Sequence, residues 1–433
     1  LRTSLERVIP SSASKINTVF VCMLLDDELL SDIIKILPFR YKIISSFEYD
    51  FIIDAMFGIG LSRDVTGVYA QIIDEINRVS AVKVAVDIPS GLSAGIVQVS
   101  NKKVKADYTV TFGYNKTGIM FYPGASYSGS VKVINAGFVT EDILHKKVKC
   151  FGSIFTYDDE DVGRLLVRKP DSNKGTYGRT LIIAGSKNMG GAAILSASAA
   201  YRSGTGLVKV LTHEINKTAL LCRMPECLIS TYQDNMPLAA ELKADFEWAK
   251  SIAVGPGLSM NVAAAEITRC VLERDDKVRI LDADALNIIA AEHIDYKGSS
   301  EGKIIITPHI MEMSRLTGKT VADIKEHMIE SAKEYAIQHS CICILKDART
   351  VVTDGQKVYI NCTGNDGMST GGCGDVLTGL IAGMTAMGLD AFEAACLSVY
   401  VHGKAGDYAA AGKGRAGMTA ADISEAIAYV LKR

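Results

Sequence analysis

One Trp and 7% aromatic residues leave few flat rings for base stacking. The 47 Lys and Arg are balanced by 49 Asp and Glu, a formal net charge of -2. That excludes a broad nucleic-acid surface, though not a local basic pocket. Ten cysteines are scattered without a pair at CxxC spacing, so neither zinc nor a redox dithiol is favoured. Cys341 and Cys343 flank Ile342 in an apolar run and fall on one face of a strand. Reduced thiols in an intracellular protein are the simplest account. Residues 1–10 carry Arg2, Glu6 and Arg7 without an apolar core, so no secretory signal is read. No apolar run approaches the roughly 20 residues that a membrane helix needs. The expectation is a cytoplasmic protein with neither nucleic acid nor membrane among its partners. The first residue is Leu rather than Met, which leaves the natural N-terminus open.

The 433 residues are 48% hydrophobic and 22% charged, enough for two or three globular domains. Residues 19–25, 51–57, 82–88, 108–112 and 131–135 read as short strands. Residues 26–37 and 71–79 have helical spacing. Strands alternating with helices indicate a parallel sheet with helices on its faces. Ligands collect at the carboxyl ends of such strands. Two ends here are polar: Asp54 with the loop 58–64, and Asp87 with Ser90. The plain alternative for Asp87 to Ser90 is a turn with Asx chemistry. Residues 147–155 read as a linker, and helical spacing resumes at Tyr157.

In the second half, residues 179–184 form a strand, and Gly190, Gly191, Ala192 and Ala193 open a helix. Such small residues let a flat ligand lie against the helix start; close helix–sheet packing explains them equally. The turn is not GxGxxG, so a dinucleotide fingerprint is unsupported. Further strands end at Gly255-Pro256-Gly257, at Asp282-Ala283-Asp284, at Thr307-Pro308-His309 and at Lys346. Two acids at i and i+2 on a strand end face the same way, suiting a metal or polar site, or a structural pair. Asp354-Gly355 marks a hairpin. His309 is either structural or on the ligand rim; His402 reads as packed within its helix. Then come Gly364, Gly367, Gly371, Gly372 and Gly374 in quick succession, Asp375, and an apolar helix over 376–387. Glycine permits close backbone approach, and a helix N-terminus favours anions. A carboxylate beside such a hole is a candidate general base for a hydroxyl attacking phosphorus. The plain alternative is a capped turn. Five polar or glycine-rich strand ends in one unit argue for an active site, since chance would scatter them over both ends of a sheet.

The first half resembles the NAD(P)HX epimerase domain, the YjeF N-terminal type of Rossmann-like fold. The resemblance rests on residues 54–61 (DAMFGIGL), 84–92 (VAVDIPSGL), 107–113 (DYTVTFG), Lys116-Thr117-Gly118 and 122–125 (YPGA). It implies potassium ligands at Asp54 and Ser90. It implies substrate contacts at Gly58, Ile59, Gly60, Leu61, Ser62, Arg63, Asp64 and Asp87. The family's Asn-Asn-Gly-Gly-Asp-Gly loop has no counterpart in residues 1–50. The domain, 1–146, is thus expected to be incomplete, a truncated parallel sheet with weak or no epimerase activity.

The second half, 157–433 after a linker at 147–156, resembles the ADP/ATP-dependent NAD(P)HX dehydratase, whose fold is a ribokinase-like α/β domain. The carrying motifs are Asn173-Lys174-Gly175, 255–258 (GPGL), 281–287 (LDADALN), Thr307-Pro308-His309 and 365–379 (NDGMSTGGCGDVLTG). Ile310 and Asp366 stand where the family usually has Pro. The resemblance implies Asp375 as catalytic base. It implies substrate contacts at Ala192, Gly257, His309 and Asp375, and nucleotide contacts at Lys346, Asp347, Ala348, Arg349, Thr350, Gly371, Gly372 and Gly374. The implied reaction is repair of hydrated NADH or NADPH: a ring hydroxyl is phosphorylated by ADP (or ATP) with Mg²⁺, then lost as phosphate. The partners are NAD(P)HX and an adenine nucleotide, K⁺ is a further cofactor, and the family forms homo-oligomers. The alternative is a ribokinase-like small-molecule kinase with a non-catalytic N-terminal binding domain.

Overall fold

The computed structural model describes residues 19–23, 50–135, 154–165, 168–233, 239–299 and 303–432. The helix expected over 26–37 lies outside the described residues. The chain divides into two compact units, Leu1–Phe151 and Gly152–Arg433.

In the first unit the strands β1 (Val19–Met23), β2 (Phe51–Ala55), β3 (Val82–Val86), β4 (Tyr108–Phe112) and β5 (Ser130–Ile134) pair in chain order. All four pairings are parallel. The helix Gly67–Arg78 buries Ile73 and Ile76 against Ile52, Met56, Val65 and Val104. It begins four residues before the expected 71, because the apolar spacing runs back to Tyr69. That ring meets Phe57 edge-on with centroids 5.1 Å apart.

The second unit holds a ten-stranded sheet. Its strands are β6 (Ile154–Phe155), β7 (Arg179–Ile183), β8 (Leu207–His213), β9 (Leu228–Tyr232), β10 (Ser251–Val254), β11 (Val278–Leu281), β12 (Ile304–Ile306), β13 (Ile342–Leu345), β14 (Val351–Thr353) and β15 (Val358–Ile360). Their spatial order is β6-β15-β14-β13-β12-β11-β10-β7-β8-β9. From β13 to β9 every pairing is parallel. The central strands are largely apolar runs, as residues 252–254 of β10 and ICIL of β13 show, because both faces are covered. The hairpin signal at Asp354-Gly355 joins β14 and β15, which pair antiparallel. Two of the residues read as linker, Ile154 and Phe155, are a sheet strand, paired to Val358 and Tyr359.

The helix Cys373–Ala386 lies against the helix Gly190–Arg202. The contact is backbone-close: a Cβ at Gly379 would lie 1.9 Å from the Ser196 carbonyl oxygen. The side chain of Ser196 donates to the Asp375 carbonyl at 3.0 Å. Small residues therefore set the depth at which the Asp375 end of this helix sits.

Candidate active site

Parallel pairing brings the carboxyl ends of β7, β10, β11, β12 and β13 to one edge of the sheet. These ends carry Gly185, Gly255, Asp282, Thr307 and Lys346. Neighbouring ends are stitched together. Ser186 N–H donates to Gly257 O at 2.7 Å, Gly185 N–H to Pro256 O at 2.9 Å, and Lys346 N–H to Pro308 O at 2.8 Å. Gly257 has φ 57, and a Cβ there would stand 2.9 Å from the Cβ of Ala192. These two expected substrate contacts are thus neighbours.

The helix after the glycine loop starts at Cys373, not at Val376. Gly372, with φ 93, is its N-cap, and no side chain caps it. Asp375 is therefore in the first turn, and the capped-turn reading is corrected. Gly371 is exposed, and a Cβ there would meet nothing within 4 Å. The loop consequently offers open backbone ahead of a helix start, which suits an anion. A Cβ at Gly374 would lie 3.4 Å from Lys346 Nζ, so Lys346 points at this first turn.

The carboxyl of Asp375 is pushed up to about 7, by burial first and then by the nearby negative charge of Asp282, with Lys346 opposing and Asp284 adding. Lys346 would be depressed by burial, but Asp282, Glu312 and Asp375 hold its ammonium above the ordinary lysine range. Asp282 is buried and bonded to Lys346 at 2.9 Å, to Thr307 at 2.6 Å and to Thr378 at 2.7 Å. Burial would raise Asp282, yet Lys346 and these hydrogen bonds hold it below the usual carboxylate range.

The expectation that Asp282 and Asp284 face the same way is corrected. β11 stops at Leu281, Ala283 takes φ 48, and Asp284 is the first residue of the helix Asp284–Ala291. The two-residue alternation of a strand no longer applies there. Asp284 accepts the Ser259 N–H at 2.7 Å instead. No cluster of three or more His, Cys, Asp or Glu suited to a metal occurs among the described residues.

His309 caps the helix Ile310–Thr317. Its Nδ1 accepts the N–H groups of Met311 and Glu312, each at 3.1 Å. Glu312 accepts the His309 N–H at 2.8 Å, completing a capping box. Burial, then Lys346, holds the imidazole below its ordinary range. A neutral ring whose Nδ1 accepts carries its proton on Nε2, which lies 3.4 Å from Glu312 Oε1. The carboxyl of Glu312 is pushed up to about 7, chiefly by burial.

Lys346 leads into the turn before β14, where Asp347 and Ala348 are exposed and Arg349 and Thr350 half-buried. Thr350 Oγ1 donates to Asp347 O at 3.3 Å. His402, read as packed in its helix, is buried in the helix Ala391–Lys413, and burial pushes it down to about 4.

In the first unit, Asp54 is buried and meets Ser90 twice, from Ser90 N at 2.7 Å and Ser90 Oγ at 2.5 Å. Burial raises its carboxyl above the ordinary range. Ser90 Oγ also accepts the Phe57 N–H at 2.9 Å, tying down the start of the loop 58–64. Gly58, Ile59, Gly60, Ser62, Arg63 and Asp64 are exposed, and Leu61 is half-buried. Asp64 is anchored by Ser100 at 2.9 Å and the Asn101 N–H at 3.0 Å. Asp87, with φ 67, follows β3 and forms an ion pair with Lys116. It also accepts from Thr111 at 3.0 Å and from Phe112 N–H at 3.1 Å.

Reading by sequence missed Glu312, Thr378 and Lys116 as site residues, and offered Asp282 only as one of a pair with Asp284 for a metal or polar site. Thr378 lay within a motif, without a role. The His309-to-Glu312 spacing of a capping box was the available signal for Glu312.

Comparison with known proteins accords with this geometry. Residues 180–429 match the family model described as NAD(P)H-hydrate dehydratase, and residues 24–118 that of the YjeF-related protein N-terminus. The chain is 36% identical over 394 residues to a bifunctional NAD(P)H-hydrate repair enzyme of Moorella thermoacetica, covering 88% of this chain and 73% of the relative. It is 34% identical over 376 residues to the enzyme of that name from Escherichia coli K12, covering 86% and 70%. The ADP/ATP-dependent NAD(P)H-hydrate dehydratase of Bacillus subtilis, co-crystallised with ATP/Mg²⁺, superposes with a TM-score of 0.56 at 30% identity, over 64% of this chain and 97% of that one. A ribokinase-like superfamily protein of Enterococcus faecalis gives 0.59 at 27% identity, over 65% and 96%. No helix among the described residues is long and apolar enough to cross a membrane.

Proposed function

We propose, from the premise that this chain belongs to the family of bifunctional NAD(P)H-hydrate repair enzymes, that its second unit dehydrates (S)-NAD(P)HX at the expense of ADP. One observation carries the reading: a carboxyl pushed up to about 7, Asp375, stands in the first turn behind an open glycine loop and beside Lys346. Such a group is ionised enough at neutral pH to accept a proton and basic enough to hold it.

Asp375 takes the proton of the ring hydroxyl as that oxygen attacks the terminal phosphate of ADP, and AMP leaves. The N–H groups of Gly371, Gly372 and Gly374 and the Lys346 ammonium stabilise the charge that develops on phosphorus-bound oxygen. The ring nitrogen then expels phosphate, and loss of a ring C–H proton restores the double bond. Hydroxide leaves poorly and phosphate well, which is the reason to consume a nucleotide. Ala192, Gly257 and His309 line the hydrated ring. Residues Lys346 to Thr350 hold the nucleotide. Mg²⁺, when bound, would neutralise phosphate charge.

Incubating the protein with NAD(P)HX, ADP and Mg²⁺ tests the reading. Free phosphate, AMP and a restored nicotinamide absorbance are expected; a stable phosphate ester instead would identify the kinase alternative. Turnover should fall on the acid side with a midpoint near the pH of about 7 at which Asp375 takes up its proton. A flat rate from pH 5 to 8 would remove Asp375 from the role of base.

For the first unit we propose a potassium site at Asp54 and Ser90. Asp54 is a buried carboxylate whose described partners are Ser90 and Met56, neither of them cationic. Hard oxygen donors and an uncompensated negative charge fit K⁺. Potassium should therefore raise the thermal midpoint of this unit more than sodium does, and Asp54→Asn should abolish the difference. The loop 58–64 and Asp87 would contact substrate. Asp87 is already engaged by Lys116, Thr111 and Phe112, contacts that substrate would have to displace. We therefore expect weak epimerisation; rapid interconversion of the R and S hydrates by this chain would contradict it. Homo-oligomerisation and a cytoplasmic location remain part of the same proposal.

A further inference from the structure

Asp282 has no part in the chemistry above, yet the site is assembled around it. Its side chain is almost wholly buried, where an ionised carboxylate is unfavourable unless charge and hydrogen bonds compensate it. Compensation comes from three separate elements. Thr307, at the end of β12, donates to Oδ1 at 2.6 Å. Lys346, at the end of β13, donates to the same oxygen at 2.9 Å. Thr378, on the helix Cys373–Ala386, donates to Oδ2 at 2.7 Å. Thr378 is one turn beyond Gly374, on the same face. A Cβ at Gly374 would lie 3.4 Å from Lys346 Nζ and 3.8 Å from Asp282 Oδ2. The carboxylate, the ammonium and the helix start are thus in mutual contact, with Asp375 next along the chain.

This arrangement resolves a conflict. A lysine placed to meet phosphate would also draw the proton off Asp375 and leave it a feeble base. A negative charge bonded to the lysine cancels much of that field at Asp375 while holding the ammonium in place. A buried ion pair stabilises a fold little more than well-packed apolar residues would. Its presence under the reacting groups is better explained by chemistry than by stability.

We propose that Asp282 is a positioning residue of the dehydration: it fixes the Lys346 ammonium against the Gly374 face of the phosphate loop and screens Asp375 from it. The proposal rests on the assignment of Asp375 as base and Lys346 as phosphate ligand. The charged groups acting on Asp375 are Asp282, Lys346 and Asp284, and those acting on Lys346 are Asp282, Glu312 and Asp375.

The test is Asp282→Asn in the full chain, checked for folding by circular dichroism. Calorimetric affinity for ADP should fall about tenfold, since a loosened lysine makes a poorer charge-assisted hydrogen bond. The acid limb of the pH–rate profile should move down by about one pH unit, because a like charge beside Asp375 has been removed. A purely structural carboxylate would lower the thermal midpoint and leave ADP affinity and the pH midpoint at parental values; that result overturns the proposal. Should the variant not fold, Thr307→Val and Thr378→Val each free one side of the carboxylate without changing charge. Each should weaken ADP binding several-fold, and unchanged binding in both overturns the proposal. If the parent binds ADP but does not turn over NAD(P)HX, the functional reading fails instead, and the affinity comparison still decides the role of Asp282.

Discussion

Asp375→Asn is expected to lower turnover by about 10³-fold while leaving ADP binding near the parental value. The substitution keeps the shape of the side chain and removes its ability to accept a proton. Phosphate contacts come from loop N–H groups and Lys346, which the change does not touch. The variant should also behave differently toward pH. The folded carboxyl is pushed up to about 7, by burial and by Asp282, so the folded chain holds this proton more tightly than the unfolded chain does. Its contribution to stability is complete below the unfolded carboxyl's range and is lost as pH rises through about 7. Asparagine has no proton to lose there. The variant's thermal midpoint should therefore match the parent's near pH 4 and exceed it near pH 8. An inactive variant with that stability gain is the signature of a strained functional carboxylate. Turnover at the parental rate would exclude Asp375 as the base.

Gly255→Ala should destabilise the second unit by about 3 kcal/mol or more, read by chemical denaturation. Two effects combine. Gly255 has φ 125, a conformation closed to alanine without strain. An added Cβ would also stand 1.8 Å from the carbonyl oxygen of Asp282, backbone that cannot rotate away. Relief requires β10 and β11 to separate at their site ends, which displaces Asp282 and through it Lys346. Activity should thus fall even in whatever fraction stays folded. Gly412→Ala is the matched control. It lies in the helix Ala391–Lys413, and a Cβ there meets nothing within 4 Å. Removing a flexible residue from the last turn of this helix should stabilise by about 0.4–1 kcal/mol, chiefly through the unfolded chain. If Gly255→Ala proved as harmless as this control, the close approach of the two strands would be wrong.

Much of the second unit was legible in order. Apolar runs such as residues 252–254 and 342–345 have no polar face, the mark of a strand covered on both sides. Gly-Pro-Gly, Thr-Pro-His and the glycine loop each follow such a run, so their place at strand ends could be read directly. The Asp-Gly hairpin also came out where its turn chemistry put it. Boundaries were less legible. The helix behind the glycine loop begins at Cys373, because glycine and cysteine carry no periodic apolar signal of their own. Ile154 and Phe155 looked like linker because two residues are too few to show a period, and only pairing with β15 makes them a strand.

The location of the proposed site residues at strand ends follows from local chain physics: apolar runs make buried strands, and glycine breaks them. That much the sequence determined, down to Asp375, Lys346, His309 and the loop between Gly371 and Gly374. Which groups touch which was decided by tertiary structure alone. Asp282 meets Thr307 across 25 residues, Lys346 across 64 and Thr378 across 96. No local pattern encodes a contact over such separations; the order of strands in the sheet does. The same holds for the charge state of Asp375. A carboxyl's affinity for its proton depends on burial and on neighbouring charges in space, and those exist only once β11, β13 and the helix Cys373–Ala386 have been brought together.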